Sequence, residues 1–388
     1  MKERNERNER GQTVVIVAFM VVVLLLMAGL AVDGGTAYLN RRRMQNAADA
    51  GSLAGAHALA ETACADVPPN TADSVIHAAI VDYVQRNGVD DGWNDMQAEY
   101  VMFNDEHKVV SYAPKVFVGG GTVPNGATGV AVTTTITRPT YLLNLLGITT
   151  GGASAAATAV TGPPLLLGGL RPFGVPLEVM QQLNEGDCFT SSFKNCQPDA
   201  PPGDPNACYI YNDEGDSIGQ HRNWLNLNHV WNEGEAPNFP RATGNPGSSA
   251  YLKLWMENGW QGTLYSDCFW SEGCHFGDYI HAKPGTNSAP IGHVPIDTVF
   301  FVPIFDIVPH YDEIPEPKAD PHPQGGDFYY HVVGFVGVTV GPGDADQGGG
   351  TVRACITEMI IGEGYPSPNP GFGEDMCASH TMVVTLWR

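Results

Sequence analysis

Residues 30–56 read "LAVDGGTAYLNRRRMQNAADAGSLAGA", and this stretch decides where most of the chain resides. An apolar run ends in it, Asp33-Gly34-Gly35 punctuates the end, three arginines follow, and then comes a tract of small residues. Just upstream, residues 13–32 are twenty positions without a charge, thirteen of them Val, Ile, Leu or Phe. At 1.5 Å per residue a helix of this length spans about 30 Å, the hydrocarbon thickness of a bilayer. A secretory apolar region runs only about 7–15 residues and ends at a small-residue cleavage site. No good A-x-A site follows here, so the segment reads as a retained transmembrane helix rather than a cleaved signal or a buried core helix.

Charge at the two ends orients this helix weakly. Lys2, Arg4, Arg7 and Arg10 precede it, and Arg41, Arg42 and Arg43 follow, which tips only slightly toward a cytoplasmic N-terminus. The rest of the chain decides. Net charge is −22, with 20 Lys+Arg against 42 Asp+Glu. Such a surface repels phosphate backbones, so nucleic acid is not an expected partner. Eight cysteines, seven of them in the last 201 residues, fit disulfides in an oxidising compartment, with unpaired thiols the alternative. Zinc would need a CxxC-type ligand pair, which the sequence lacks. The expected topology is a short cytoplasmic tail (residues 1–12), a bilayer-spanning helix (13–32), and everything after Asp33 outside the cytoplasm. Among the cysteines, Cys188/Cys196 and Cys268/Cys274 have spacings suited to local bridges, and Cys355/Cys377 to a hairpin.

Residues 33–64 form the expected stalk helix, free of proline and rich in helix formers. Ala47, Gly51, Ala54 and Ala58 recur on one stripe, and Gly51 and Gly55 make a GxxxG pair. Small side chains let another backbone approach closely, so this stripe reads as a helix-docking seam. It serves either the chain's own domain or another subunit. Gly34 and Gly35 mark a place where the helix is expected to kink.

These residues carry a resemblance. Arg10-Gly11 before the apolar helix, then Ala31-Val32-Asp33, Gly35, Tyr38, the basic cluster 41–43, Gln45, and the run Ala47 to Ala54 that includes Asp49, resemble the N-terminal segment of the TadE/TadG-like family of Tad (Flp-type) pilus assembly. The likeness is specific over residues 10–60. It continues more weakly to about 160, where "GVAVTTTITRPTYLLNLLGITTGGASAAATAV" is similar to the strand, "LLGI" turn and Ala/Thr-rich strand closing the family's first exported domain. The resemblance implies a bitopic protein related to minor pseudopilins, with the lipid bilayer and other pilus-assembly or pseudopilin subunits as partners. Type IV prepilins are cut after Gly and carry Glu at the fifth mature position; cleavage after Gly11 would put Ile16 there. That departure points to an unprocessed, TadG-like anchor.

Beyond the stalk the expected class is α+β. Residues 65–162 read as a small α+β domain, with a helix capped by Thr71 or Asp73 and running to about Asn87. "QAEYVMF" and "KVVSYAPKVF" read as two strands, and residues 130–136 as a half-buried one. "GPPLLLGGLRP" (162–172) reads as a linker. Residues 173–388 read as a β-rich, disulfide-containing domain, with one helix at 249–258 stopped by Gly259, and the final run "HTMVVTLWR" as one of its strands.

No HExxH or GxxxxGK[ST] occurs, so an envelope hydrolase has little to stand on and no catalysis is expected. His310, Asp312, Glu313, Asp320 and His322 lie close in sequence, but prolines interrupt them, and they read as a solvated loop. No cofactor is expected. Calcium is the better metal candidate, with Asp213 and Asp216 in "YNDEGDS" and Asp344 and Asp346 in "GDADQGG", though neither loop has the closing Glu of an EF-hand. Trp224, Trp231, Trp255, Trp260 and Trp270 either form core or line a sugar-binding face, the latter making the protein a surface adhesin.

Overall fold

The computed structural model describes residues 3–65, 67–89, 96–104, 108–194, 196–197, 204, 206–221, 224–230, 249–266, 279–283, 287–310, 313, 328–362, 365–366 and 381–387. Helix α1 (Glu3–Cys64) is continuous for 62 residues. Gly34 and Gly35 lie inside this unbroken helix, and no neighbour approaches within 4 Å of where a Cβ on either glycine would sit. Among the described residues this is the one helix long and apolar enough to cross a membrane.

The second half of α1 packs on α2 (Pro69–Arg86) and on a sheet. That sheet contains β1 (Met96–Phe103), β2 (Val109–Ser111), β3 (Gly129–Pro139) and β4 (Thr150–Gly162). β3 and β4 form a long hairpin in unbroken register from Gly129↔Val160 to Pro139↔Thr150. The sheet is completed from the far end of the chain. The strand Thr381–Trp387 pairs antiparallel with β4, from Val383↔Gly162 to Trp387↔Thr158, and Met359–Ile361 pairs parallel to it. Met382 and Val384 of that terminal strand join Met44, Leu59, Ile76, Ile80, Tyr100 and Val132 in one core. The terminal run is a strand, as its sequence indicates, but it belongs to the first sheet and not to the β-rich unit. Its β-branched residues identify a strand without identifying the edge it pairs with.

Two further details differ from the sequence reading. α2 begins at Pro69, and neither Thr71 nor Asp73 caps it. Asp73 is buried instead, accepting hydrogen bonds from the Tyr100 hydroxyl (2.8 Å) and from the backbone N–H of Gly119 (2.8 Å) and Gly121 (2.7 Å). The expected linker is structured: Pro164–Gly168 is a strand between Thr263–Tyr265 and Tyr365–Pro366. Its apolar run has a core to enter, and Leu165, Leu167 and Leu170 are buried.

The β-rich unit is a second sheet centred on Tyr329–Thr339, which pairs with Phe300–Phe305, Tyr279–Lys283 and Thr351–Thr357. Thr351–Thr357 continues through Cys188–Ser192 to Cys208–Asn212 and Ser217–His221. The helix Ser249–Asn258 forms where its sequence places it and stops at Gly259, whose φ of 77° suits only glycine comfortably. Phe189, Phe193, Trp224, Phe335 and Val336 lie at the centre of this second core.

Candidate functional site

The residues singled out in the sequence converge on α1. Gly11 lies within the helix, and Tyr38 is on its exposed surface. The Gln45 side-chain amide donates to the Asp49 carboxylate one turn away, at 2.8 Å. Ala47 and Ala58 are buried, Ala54 is half-buried, and the seam is filled from within the chain. A Cβ on Gly51 would lie 2.5 Å from Val84 of α2. One on Gly55 would lie 2.7 Å from Val130 of β3 and 2.8 Å from Ile80 of α2. The stripe of small residues therefore brings α1 against its own α2 and sheet.

The helix and the β3–β4 hairpin keep pace with each other. Val130 faces Gly55 and Val132 faces Gly51. The Thr134 hydroxyl donates to the Met44 carbonyl at 2.9 Å. Leu142, in the hairpin tip, faces Gly29, where its Cβ lies 3.0 Å from a Cβ built on that glycine. From Gly55 to Gly29 a helix rises about 39 Å. From Val130 to Leu142 an extended chain covers about 40 Å. The two lengths match, so the hairpin runs down the helix from the body of the domain into the level of the apolar span.

Asp33 fastens that tip. Its carboxylate accepts the backbone N–H groups of Tyr141 (2.8 Å), Leu142 (2.9 Å) and Leu143 (2.7 Å). The last of these opens a 3-10 turn, Leu143–Leu146, which Gly147 closes at φ 84°. An acidic side chain held by several amides at the start of a helical turn satisfies donors that the turn leaves free. Asp33 is legible in the sequence as the end of the apolar run, but its partners are more than 100 residues away and carry no mark of it.

The other candidates are placed as follows. Asp213 and Asp344 come together around one cation, Arg353, whose guanidinium grips Asp213 through two bonds (2.9 and 2.7 Å) and reaches Asp344 at 3.4 Å. Hydrogen bonding from Arg353 holds the Asp213 carboxyl below its ordinary range, against a small opposing effect of burial. Asp216 and Asp346 lie exposed in the same two loops, and among the described residues no cluster of three metal-ligating side chains forms. Trp224, Trp255 and Trp260 are buried in the second core and offer no sugar platform; Trp231 and Trp270 lie outside the described residues. Of the histidine-acid loop, only His310 and Glu313 are described.

Disulfides form, with a different pairing from the one the spacings favoured. Cys188 bonds Cys355 across adjacent strands, and Cys196 bonds Cys208. Proximity in sequence misleads here because Cys188 and Cys355 are register partners in the sheet, whatever lies between them. Cys64, the last residue of α1, is also disulfide-bonded. Cys268 and Cys274, expected to bridge each other, and Cys377, expected to pair with Cys355, lie outside the described residues.

No curated protein and no solved structure matches the chain. A family model does match one part of it, over the anchor helix, the Asp33 junction and the whole seam, and identifies residues 11–58 as putative Flp pilus-assembly TadE/G-like sequence.

Proposed function

We propose that this protein is a single-pass membrane component of Tad/Flp-type pilus assembly, TadG-like and pseudopilin-related, with a mechanical role and no catalysis. The single observation that carries this reading is the family match over residues 11–58, which lies on a helix of membrane-spanning length and composition. The apolar half of α1 holds the chain in the bilayer with its N-terminus in the cytoplasm. The seam half is built into the first core, so force on the domain reaches the anchor through packed side chains and not through a loose tether. The disulfide-bonded β unit presents the surface for other assembly or pseudopilin subunits. Its disulfides and the acidic, lysine-poor composition of the body support an extracytoplasmic location.

Protease treatment of intact cells, with thiol labelling before and after reduction, tests this directly. The expected result is digestion of everything beyond α1 and labelling only after reduction. A freely soluble chain, or reactive thiols protected from the protease, would overturn it, as would normal pili in a strain lacking the protein.

A further inference from the structure

The tip of the β3–β4 hairpin, "YLLNLLGI" at residues 141–148, is apolar in sequence, and Tyr141, Leu142 and Ile148 are exposed. Tyr141 is 69% exposed, Ile148 51% and Leu142 38%. A hairpin tip on a water-soluble domain is ordinarily polar, built from Gly, Asn, Asp and Ser. Its position resolves the anomaly. Leu142 packs on Gly29, three residues inside the apolar run 13–32, and Gly29 is buried there while the side chains of Leu26, Met27 and Leu30 around it remain exposed. If residues 13–32 lie in lipid, the tip lies about 5 Å below the end of that span, the depth at which interfacial segments bury their apolar faces.

The backbone is prepared for that environment. Irregular chain enters a membrane only where its polar groups are satisfied internally. The amides of Tyr141, Leu142 and Leu143 are taken by Asp33. Those of Thr140, Gly147 and Ile148 are taken by the carbonyls of Thr149, Asn144 and Leu143. Tyr141, with an aromatic body and a hydroxyl end, is the side chain type that gathers at the headgroup level.

We infer that the 141–148 tip is a second membrane-contacting element, a lipid-embedded foot beside the anchor helix that fixes the angle of the exported domain to the bilayer. The occupant of this apolar surface is phospholipid, because the surface is continuous with that of the span. Two contacts tied together by Asp33 resist rocking in a way that one helix crossing a bilayer does not. The inference rests on the anchor reading, and its test separates the two.

The full-length chain is reconstituted into phosphatidylcholine–phosphatidylglycerol vesicles with a photoreactive phenylalanine analogue placed singly at Tyr141, Leu24 or Tyr211. Tyr141 and Leu24 are exposed in the structure, so neither substitution disturbs a core, and Tyr211 is an exposed residue of the β unit. Lipid adducts at positions 24 and 141, with none at 211, are expected. Adducts at 24 without any at 141 overturn the foot while leaving the anchor intact. Adducts at neither position overturn both. Crosslinking of position 141 to a second copy of the chain would also refute the lipid assignment.

Discussion

The carboxylate of Asp33, at the end of the apolar run of α1, accepts the backbone N–H of Leu143 at 2.7 Å, from a residue 110 positions further along the chain. The same carboxylate takes two further amides. A single side chain thus joins the end of the apolar run to the tip of the β3–β4 hairpin. Asp33→Ala removes all three acceptor contacts at once. Amide exchange of residues 141–147 is expected to accelerate strongly while membrane retention of the chain is unchanged, measured by hydrogen–deuterium exchange in micelles and by carbonate extraction. Unaltered exchange in that loop would show that the contact does not hold it.

Two glycines in α1, Gly55 and Gly35, should respond differently to the same substitution. A methyl at Gly55 meets Val130 and Ile80 from two different elements, with approaches of 2.7–2.9 Å. Overpacking of this kind costs about 1–3 kcal/mol, more than the gain of up to about 1 kcal/mol that alanine brings to a helix. Gly55→Ala is therefore expected to lower Tm. Gly35→Ala meets nothing within 4 Å and is expected to leave Tm unchanged or raise it. Thermal unfolding in detergent checks both.

The two described disulfides should differ in worth. Cys188–Cys355 closes a separation of 167 residues and Cys196–Cys208 one of 12. Chain-entropy scaling gives about 5 kcal/mol for the long loop and about 3 kcal/mol for the short one. Replacing each pair by serine should therefore lower the urea midpoint more for 188/355 than for 196/208. Equal losses would point to residual structure in the unfolded chain.

Glu358 should make the protein less stable as pH rises. Burial, then the Glu185 carboxylate and last Glu61, raise its pKa from the ordinary 4.5. The folded state therefore binds this proton more tightly than the unfolded state does. Its contribution is complete below the ordinary glutamate range and is lost as pH climbs through the raised value. Glu358→Gln is expected to melt above the parent near neutral pH, with the difference vanishing below about pH 4. A Tm series across pH for both proteins decides this.

Arg353 should hold the 211–217 and 341–350 loops together without help from metal. Its exposed pairs with Asp213 and Asp344 are worth about 1 kcal/mol or less each. Arg353→Met is expected to raise exchange in both loops with little change in Tm. Chelation of calcium should leave the parent Tm where it was, since the guanidinium already matches these carboxylates; a fall in Tm on chelation would return calcium to this place.

Much of the architecture is legible before any coordinates. The uninterrupted apolar run, the proline-free stalk and the Gly259 stop are local signals, and each leads to the helix it indicates. β1, β3 and the terminal strand likewise follow from β-branched and aromatic runs. The small-residue stripe of α1 announces that something packs there, but spacing cannot say what. Val84, Ile80, Val130 and Val132 carry no sign of their destination. Asp73 looks like a helix cap, because Asp near a helix start usually is one, until Tyr100 and the glycine amides claim it.

The sequence alone determined the elements that depend on nearest neighbours: a membrane-length helix, its alanine-glycine seam, and strands separated by turn residues. Tertiary structure alone decided the closures between distant positions. Trp387 lies opposite Thr158, Cys188 opposite Cys355, and Asp33 beneath Leu143. The reason is physical. Helix and strand formation are set by local propensity and by the period of apolar residues. Which edge a strand joins, or which amide a carboxylate accepts, is chosen by the core that all of them bury together.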